Sequence, residues 1–384
     1  MVEKISKTDI MTRIIAAFDS FKGTLTSREA GEAFRRGFIA EYPDADVEVL
    51  AIADGGEGMA EAICEGVGGE MVSRVVSDPL GRKVEARYAL INGGATAVIA
   101  MSSASGITLL KPEERNPLIA STFGTGELIV DVLERGCREI IMGLGGSATN
   151  DCGVGMLRAL GYRFYDSAGV ELTDTISILE RVASISTAER HSLLMGVRFT
   201  AAVDVDNPLY GPTGAAHIFA PQKGASPEVV ERLDMALRHY SEVVDAEAAE
   251  VAGAGAAGGM GYALYTMLGA RMCPGIEIVL SLLDFERRAE GAVLVVTGEG
   301  SIDRQTLHGK APAGVLAAAQ RLGIPVVALG GRVEDIAELL AGGFHDIQTI
   351  TPIGQPTEVA MQRETAIANM ERAARELARQ IISQ

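Results

Sequence analysis

Short apolar, β-branched runs in this chain end repeatedly in acid-bearing loops, most of them rich in glycine, and this constrains the fold more than any other feature. The loops read FDSFKGTLTS (residues 18–27), ADGGEG (53–58), GLGGSATND (143–151), DVDNP (204–208) and TGEGSID (297–303). Runs such as Ile14-Ile15-Ala16-Ala17-Phe18, Ile140-Ile141-Met142, Val293-Leu294-Val295-Val296 and Val326-Val327-Ala328-Leu329 end in glycine or acid. Most lead into helix-like segments such as residues 127–135. That alternation predicts an α/β fold with ligand loops at the carboxyl ends of strands.

The clearest stretch is the last third, where the pattern predicts strands at 293–296, 325–329 and 347–350, with helices at 313–321 and 333–341 between them. A GEGSID loop is expected directly after the first of these strands. The middle is less regular. Strand-like residues 84–91 and 97–101 lie close together, as in an antiparallel or mixed sheet, with Pro79-Leu80-Gly81 as an entry into that region. The Ala/Gly tract 246–261 reads equally as an exit linker or a tightly packed loop. Residues 364–384, rich in Ala, Glu and Arg, predict a closing amphipathic helix. There is no internal repeat.

At 384 residues the chain is long enough for two domains and a substantial core. A net charge of -17 argues against nucleic acid or an anionic membrane as partner. No apolar run approaches the roughly 20 residues of a membrane span, and the polar N-terminus has no signal-peptide core, so a cytoplasmic protein is expected. Cys64, Cys137, Cys152 and Cys273 are far apart and form no CxxC pair, which speaks against a zinc site or disulfide framework.

Two stretches imitate dinucleotide fingerprints. Residues 253–258 are a literal GxGxxG, but an Ala/Glu-rich, helix-like segment precedes them where a strand is required. Residues 143–148 do follow a strand, and Asp166 lies about where a ribose-binding acid belongs. Against this, Thr149, Asn150 and Asp151 set polar groups where a Rossmann helix would pack on its sheet. His308-Gly309-Lys310 is not a Walker A motif, because Ala311 replaces the magnesium-binding Ser or Thr.

The remaining loops carry chemistry. Asp19, Ser20 and Lys22 put an acid, a hydroxyl and an ammonium in one short loop, able to hold a carboxylate or a transferring phosphoryl group, although a strand-to-helix turn with Ser27 as N-cap would look similar. Asp54 and Glu57 flank two glycines and suit substrate hydroxyls or water on Mg²⁺. GGSATND offers backbone N–H groups and hydroxyls to phosphate, the alternative being a capped helix with Asp151 as the cap. Asp204 and Asp206, two residues apart, share a side if extended, which favours metal binding or general-base duty. Glu299 and Asp303 flank a turn, Lys310 precedes a helix that Pro312 can open, and Gly124-Thr125-Gly126 adds a weak phosphate signal.

With these motifs in view, the chain resembles the bacterial glycerate kinases of the second class, the family that includes the tartronate-pathway enzymes. The resemblance rests on DSFKG, ADGGEG, residues 111–129, GLGGSATND, DVDNPL-GP, PQKGA, GAGAAGGMG, PGIEIVL and TGEGSID–QTLHGKAP, from about residue 13 to at least 350. The chain departs from the family pattern at Met59, where Thr is common, and at Cys152, where Gly is common.

The resemblance implies ATP-dependent, magnesium-assisted phosphorylation of D-glycerate, with 2-phosphoglycerate the expected product and 3-phosphoglycerate the alternative. A NAD-dependent glycerate or tartronate semialdehyde oxidoreductase and a glycerate-sensing binding protein are the rival classes. It also implies a flavodoxin-like parallel α/β domain from residues 1–80 and 286–384, and an inserted α/β domain, 81–285, with a restriction-endonuclease-like mixed sheet. On this reading Lys22, Asp54 and Asp204 are catalytic, with Asp204 orienting or deprotonating the attacking hydroxyl. Ser20, Asp19, Glu57 and Lys310 bind glycerate. Gly145, Gly146, Ser147, Thr149 and Thr125 bind ATP, and Asp151, Asp206, Glu299 and Asp303 hold Mg²⁺. A monomer or homodimer is expected.

Overall fold

The computed structural model describes residues 12–56, 58–307 and 309–382. Two strands open the chain, β1 (Arg13–Phe18) and β2 (Asp46–Ala51). The middle supplies β3 (Glu70–Ser77), β4 (Lys83–Ile91), β5 (Thr96–Ala100), β6 (Glu139–Gly143), β7 (Arg163–Tyr165), β8 (Glu171–Leu172), β9 (Ser184–Ser186), β10 (Arg198–Ala202) and β11 (Arg271–Cys273). Three more close it, β12 (Leu294–Ile302), β13 (Val326–Val333) and β14 (Asp346–Thr349). The chain divides into two compact units. Residues up to Asp54, Glu65–Val67 and residues from Ile276 onward form the first, and Gly55–Cys64 with Gly68–Gly275 form the second.

The first unit holds a five-stranded sheet in the order β14-β13-β12-β1-β2, with every pairing parallel. Ile14, Ile15, Ala16, Ala17 and Phe18 are all fully buried, because a central parallel strand is covered on both faces and so reads as a continuous apolar run. The helix Ser27–Glu41 begins with a capping box in which Thr26 accepts from Glu29 N–H and Glu29 accepts from Thr26 N–H. Ser27, expected to be that cap, instead donates its hydroxyl to Ile52 O at 2.8 Å.

The closing helix spans Arg363–Ile382 and packs on Ser27–Glu41 through Phe34, Phe38, Met370, Ala374 and Leu377. Gly37 permits the close approach, since a Cβ there would stand 2.3 Å from Glu371 O. Strand β12 runs to Ile302, with Glu299 opposite Gly330 and Ile302 opposite Val333. The expected GEGSID loop is therefore mostly strand, and Glu299 is carried on a rigid element.

The second unit holds a six-stranded mixed sheet, β11-β10-β6-β5-β4-β3, and a small sheet, β8-β7-β9. β3, β4 and β5 are antiparallel neighbours, while β5, β6, β10 and β11 are parallel. The unit boundaries differ from the expected 80/81 and 285/286. β3 pairs along its whole length with β4, and Pro79-Leu80-Gly81 is the tight turn between them. The Asp78 carboxylate closes that turn by accepting from Leu80 N–H, Arg82 N–H and the Arg82 guanidinium. A hairpin cannot be cut at its turn without exposing both ladders, so the chain crosses near Asp54 instead.

The Ala/Gly tract is a packed loop. A Cβ at Gly255 would lie 2.2 Å from Pro208 O, at Gly258 2.1 Å from Thr149 O, and at Gly259 2.8 Å from Cys152 Sγ. No helix among the described residues is long and apolar enough to cross a membrane.

Candidate active site

In the first unit the strand order reverses between β1 and β12, and ligands of open α/β sheets bind beyond the carboxyl ends of strands at such a reversal. The residues found there are Asp19, Ser20 and Lys22 after β1, Asp54 after β2, and Glu299 on β12. Asp19 N–H donates to Gly298 O at 2.9 Å, tying the first loop to β12. The Asp19 side chain is 4% exposed, and its Oδ1 accepts from Ser20 N–H at 2.6 Å. Burial pushes its carboxyl up to about 7, the charge of Asp54 adds to the rise, and Ser20 N–H and Lys22 oppose it. Lys22 is exposed, with Nζ 3.8 Å from Asp54 Oδ2.

Glu299 is held by two partners. Lys310 Nζ and Thr306 Oγ1 both donate to its Oε1, at 3.3 and 2.9 Å. Burial raises its carboxyl above the ordinary glutamate value, and Lys310 holds that rise back. Asp303 has a structural task, accepting from Gln305 N–H at 2.8 Å to close the turn at the start of the 3₁₀ segment Arg304–Leu307. Glu57 lies outside the described residues.

In the second unit two of the glycine loops meet, and the Asp204 segment adjoins them. A Cβ at Gly143 would come within 2.5 Å of Gly55 O, and one at Gly145 within 2.7 Å of the Gly56 Cα. Asp204 Oδ2 lies 2.9 Å from where a Gly55 Cβ would be, and its Oδ1 accepts from Gly275 N–H at 2.9 Å. Gly145 and Gly146 are exposed, whereas Ser147, Thr149, Asn150 and Asp151 are buried. The part of this loop open to a ligand is thus its two glycines, with the polar residues beneath.

Several expected roles are corrected by this geometry. Asp151 is fully buried and accepts from Thr122 N–H, the Thr122 hydroxyl, Gly153 N–H and Gly155 N–H at 2.8–3.2 Å. Its oxygens bind the loop and the start of the helix Val154–Ala159 together, which leaves them no room for Mg²⁺. Thr125 lies inside the helix Phe123–Glu134, fully buried, with its hydroxyl 2.7 Å from Ser105 Oγ. Its flanking glycines serve packing, since Cβ atoms there would meet Ser77 O and Met156 O. Thr149 is also fully buried, so its side chain does not reach a nucleotide from the surface. Asp204 and Asp206 are both exposed in a segment without regular structure, and only Asp204 adjoins the glycine loops.

The dinucleotide reading also fails. Asp166 closes a turn with Ala168 and Val170 N–H and pairs with Arg181 at 2.7 Å. β6 and β7 lie in different sheets, so the strand before Asp166 is not the parallel neighbour a dinucleotide fold would place after the 143–148 glycines. Cys152 adopts φ 50°, a left-handed conformation that glycine adopts without strain.

Sequence reasoning gave no role to Lys223. It ends the 3₁₀ turn Pro221–Lys223, is 2% exposed, and donates to Ser147 Oγ at 2.9 Å and Thr149 O at 2.6 Å. A lysine between Pro-Gln and Gly reads as a solvated turn residue, and only its place within the PQKGA motif marked it. Among the described residues no three His, Cys, Asp or Glu side chains gather as a metal cage. Mg²⁺ in phosphoryl-transfer sites takes one or two carboxylates and completes its shell with phosphates and water. Asp54 and Glu299 fit that need, as two carboxylates whose charge bears on the buried Asp19 and would be offset by a cation.

Comparison with known proteins agrees in extent. The model of the glycerate kinase family matches residues 14–382. A glycerate kinase of Bacillus subtilis is 43% identical over 96% of this chain and 97% of its own length. A glycerate 2-kinase of Escherichia coli is 42% identical over 84% of this chain and 86% of its own. A crystal structure of a candidate glycerate kinase 2 from Salmonella typhimurium LT2 superposes with a TM-score of 0.86 at 41% identity, covering 97% of this chain and 99% of that one.

Proposed function

Because the chain belongs to the glycerate kinase family and is a kinase, we propose that it transfers the γ-phosphoryl group of ATP to the secondary hydroxyl of D-glycerate in the cytoplasm. The E. coli relative's description as a glycerate 2-kinase supports 2-phosphoglycerate as product. The observation that carries the mechanism is the Asp19 carboxyl buried at the strand-order reversal, accepting from Ser20 N–H with a lysine in the same loop. The strand order, 2-1-3-4-5 when the unit's strands are counted along the chain, supports a flavodoxin-like first domain. The inserted unit's mixed sheet is compatible with a restriction-endonuclease-like architecture.

Lys22 and Ser20 would hold the glycerate carboxylate, with Lys310 supplying a second positive charge beside Glu299. Asp54 and Glu299 would hold Mg²⁺, which when bound neutralises phosphate charge. The exposed Gly145-Gly146 backbone would cradle ATP phosphates. Asp19 accepts the proton of the reacting hydroxyl as its oxygen bonds to the γ-phosphorus and the bridging P–O bond breaks, releasing ADP. A base with pKa near the working pH suits this step. Asp204, the choice from sequence, has one oxygen committed to Gly275 N–H, which favours an anchoring role. Positioning and charge neutralisation dominate phosphoryl transfer, so the lysines should matter as much as the base.

The reading is tested by following ADP release in a coupled assay with MgATP. D-glycerate-dependent release supports it, and release that is absent or indifferent to D-glycerate overturns it.

A further inference from the structure

A buried lysine is costly unless its charge is used, and a methionine of similar volume would fill the same space more cheaply. Lys223 spans Ala148, with its Nζ bonded to Ser147 Oγ on one side and Thr149 O on the other. The same loop is pinned from a second direction. Ala148 N–H donates to Ser105 O at 2.9 Å, and Ile107 N–H donates to Gly146 O at 2.9 Å. Thr149 Oγ1 and Asn150 Oδ1 are buried beside it without hydrogen-bond partners, a further desolvation cost that folding alone does not require. The polar interior of this loop is therefore held at some expense beneath two exposed glycines.

We propose that Lys223 is a positioning residue for nucleotide binding, fixing residues 147–149 from beneath and supplying the positive charge under a phosphate resting on Gly145 and Gly146. The inference rests on the reading that this loop receives the ATP phosphates. Burial lowers the Lys223 ammonium to about 7, and Asp151, the charged group of the loop that acts on it, opposes that fall. Arg115 lies against the lysine's own turn, its guanidinium donating to Gln222 O at 3.5 Å. A phosphate favours the charged lysine, so nucleotide binding takes up a proton above pH 7 and weakens as the pH rises.

The test is calorimetry of MgATP binding without glycerate, from pH 6.5 to 9, in buffers of different ionisation enthalpy. The wild type should take up about half a proton near pH 7.5 and lose about fivefold in affinity between pH 7 and 9, the effect of raising one pKa by about one. Lys223→Met should bind MgATP at least about tenfold more weakly near pH 7, with no pH slope and no proton uptake, and bind D-glycerate within about twofold of wild type. Wild-type affinity and proton uptake in Lys223→Met overturn the inference. If that variant does not fold, the wild-type measurement and Ser147→Ala decide, and absence of proton uptake in the wild type is then the refuting result. Gly146→Val separates the two readings. Unchanged MgATP affinity in Gly146→Val sinks the nucleotide loop itself, whereas weakened binding there with an unaffected Lys223→Met sinks only the role of Lys223.

Discussion

Asp19→Asn should make the protein more stable and nearly inactive at once. The wild-type carboxyl rises from the ordinary aspartate value of 3.8 to about 7 because it is buried beside Asp54. Each tenfold change in proton affinity corresponds to about 1.4 kcal/mol, so at pH 8 the charged Asp19 costs the folded state on the order of 4 kcal/mol. The sign follows from proton counting. Between pH 3.8 and 7 the folded chain holds a proton that the unfolded chain has released, so stability falls as the pH rises through that window. The substituted amide keeps an oxygen for Ser20 N–H and carries no charge, so it escapes the penalty. Thermal melts should show the variant several degrees above wild type at pH 8, with the gap closing toward pH 4. Turnover at pH 8 should fall about 10²–10⁴-fold, the range for a lost general base. The acid limb of the wild-type kcat/KM profile should disappear. Equal melting temperatures at pH 8 would refute the burial argument, and near-normal turnover in Asp19→Asn would refute the assignment of the base.

Three further substitutions separate roles. Asp204→Asn should retain most of its turnover, because the Gly275 contact needs only an acceptor oxygen; a loss above about 10²-fold at saturating substrates would restore Asp204 as base. Asp151→Asn should lower stability by about 2–5 kcal/mol in denaturant melts, since an amide nitrogen then faces backbone donors in a buried site. A raised magnesium requirement without destabilisation would return Asp151 to the metal. Gly258→Ala combines φ 71° with a Cβ 2.1 Å from Thr149 O, and should cost at least about 2 kcal/mol while weakening MgATP binding. A neutral melt would show that the Ala/Gly tract does not shape the loop.

The fold was legible where one periodicity dominated. The apolar runs at β1, β6, β12 and β13 and the closing helix lie where their patterns placed them, because buried parallel strands and amphipathic helices write their environment into local sequence. GEGSID was read as a loop because glycine and acid usually mark one; here Gly298 is needed for close strand contact, a Cβ lying 1.9 Å from Leu329 O. Glycine cannot say which surface it approaches, and so Gly124-Thr125-Gly126 looked like a phosphate loop when its partner is Ser77 O. Asp19, Asp54 and Glu299 were each legible as candidate site residues, in separate roles, but their differing burial was not. Asp151 and Asp303 were indistinguishable from ligands in sequence, since a carboxylate that binds backbone N–H groups looks the same on paper as one that binds a cation. Lys223 was missed for a related reason, as the partners of its ammonium lie more than 70 positions away.

The most direct measurement is ³¹P NMR of the protein incubated with D-glycerate, ATP and Mg²⁺. The expected result is a new phosphomonoester resonance coupled to one proton, as for a phosphate on the secondary hydroxyl, growing as the γ-phosphate signal declines. A resonance coupled to two protons would place the phosphate on the primary hydroxyl and contradict the proposed product. An unchanged ATP spectrum would contradict the proposed reaction.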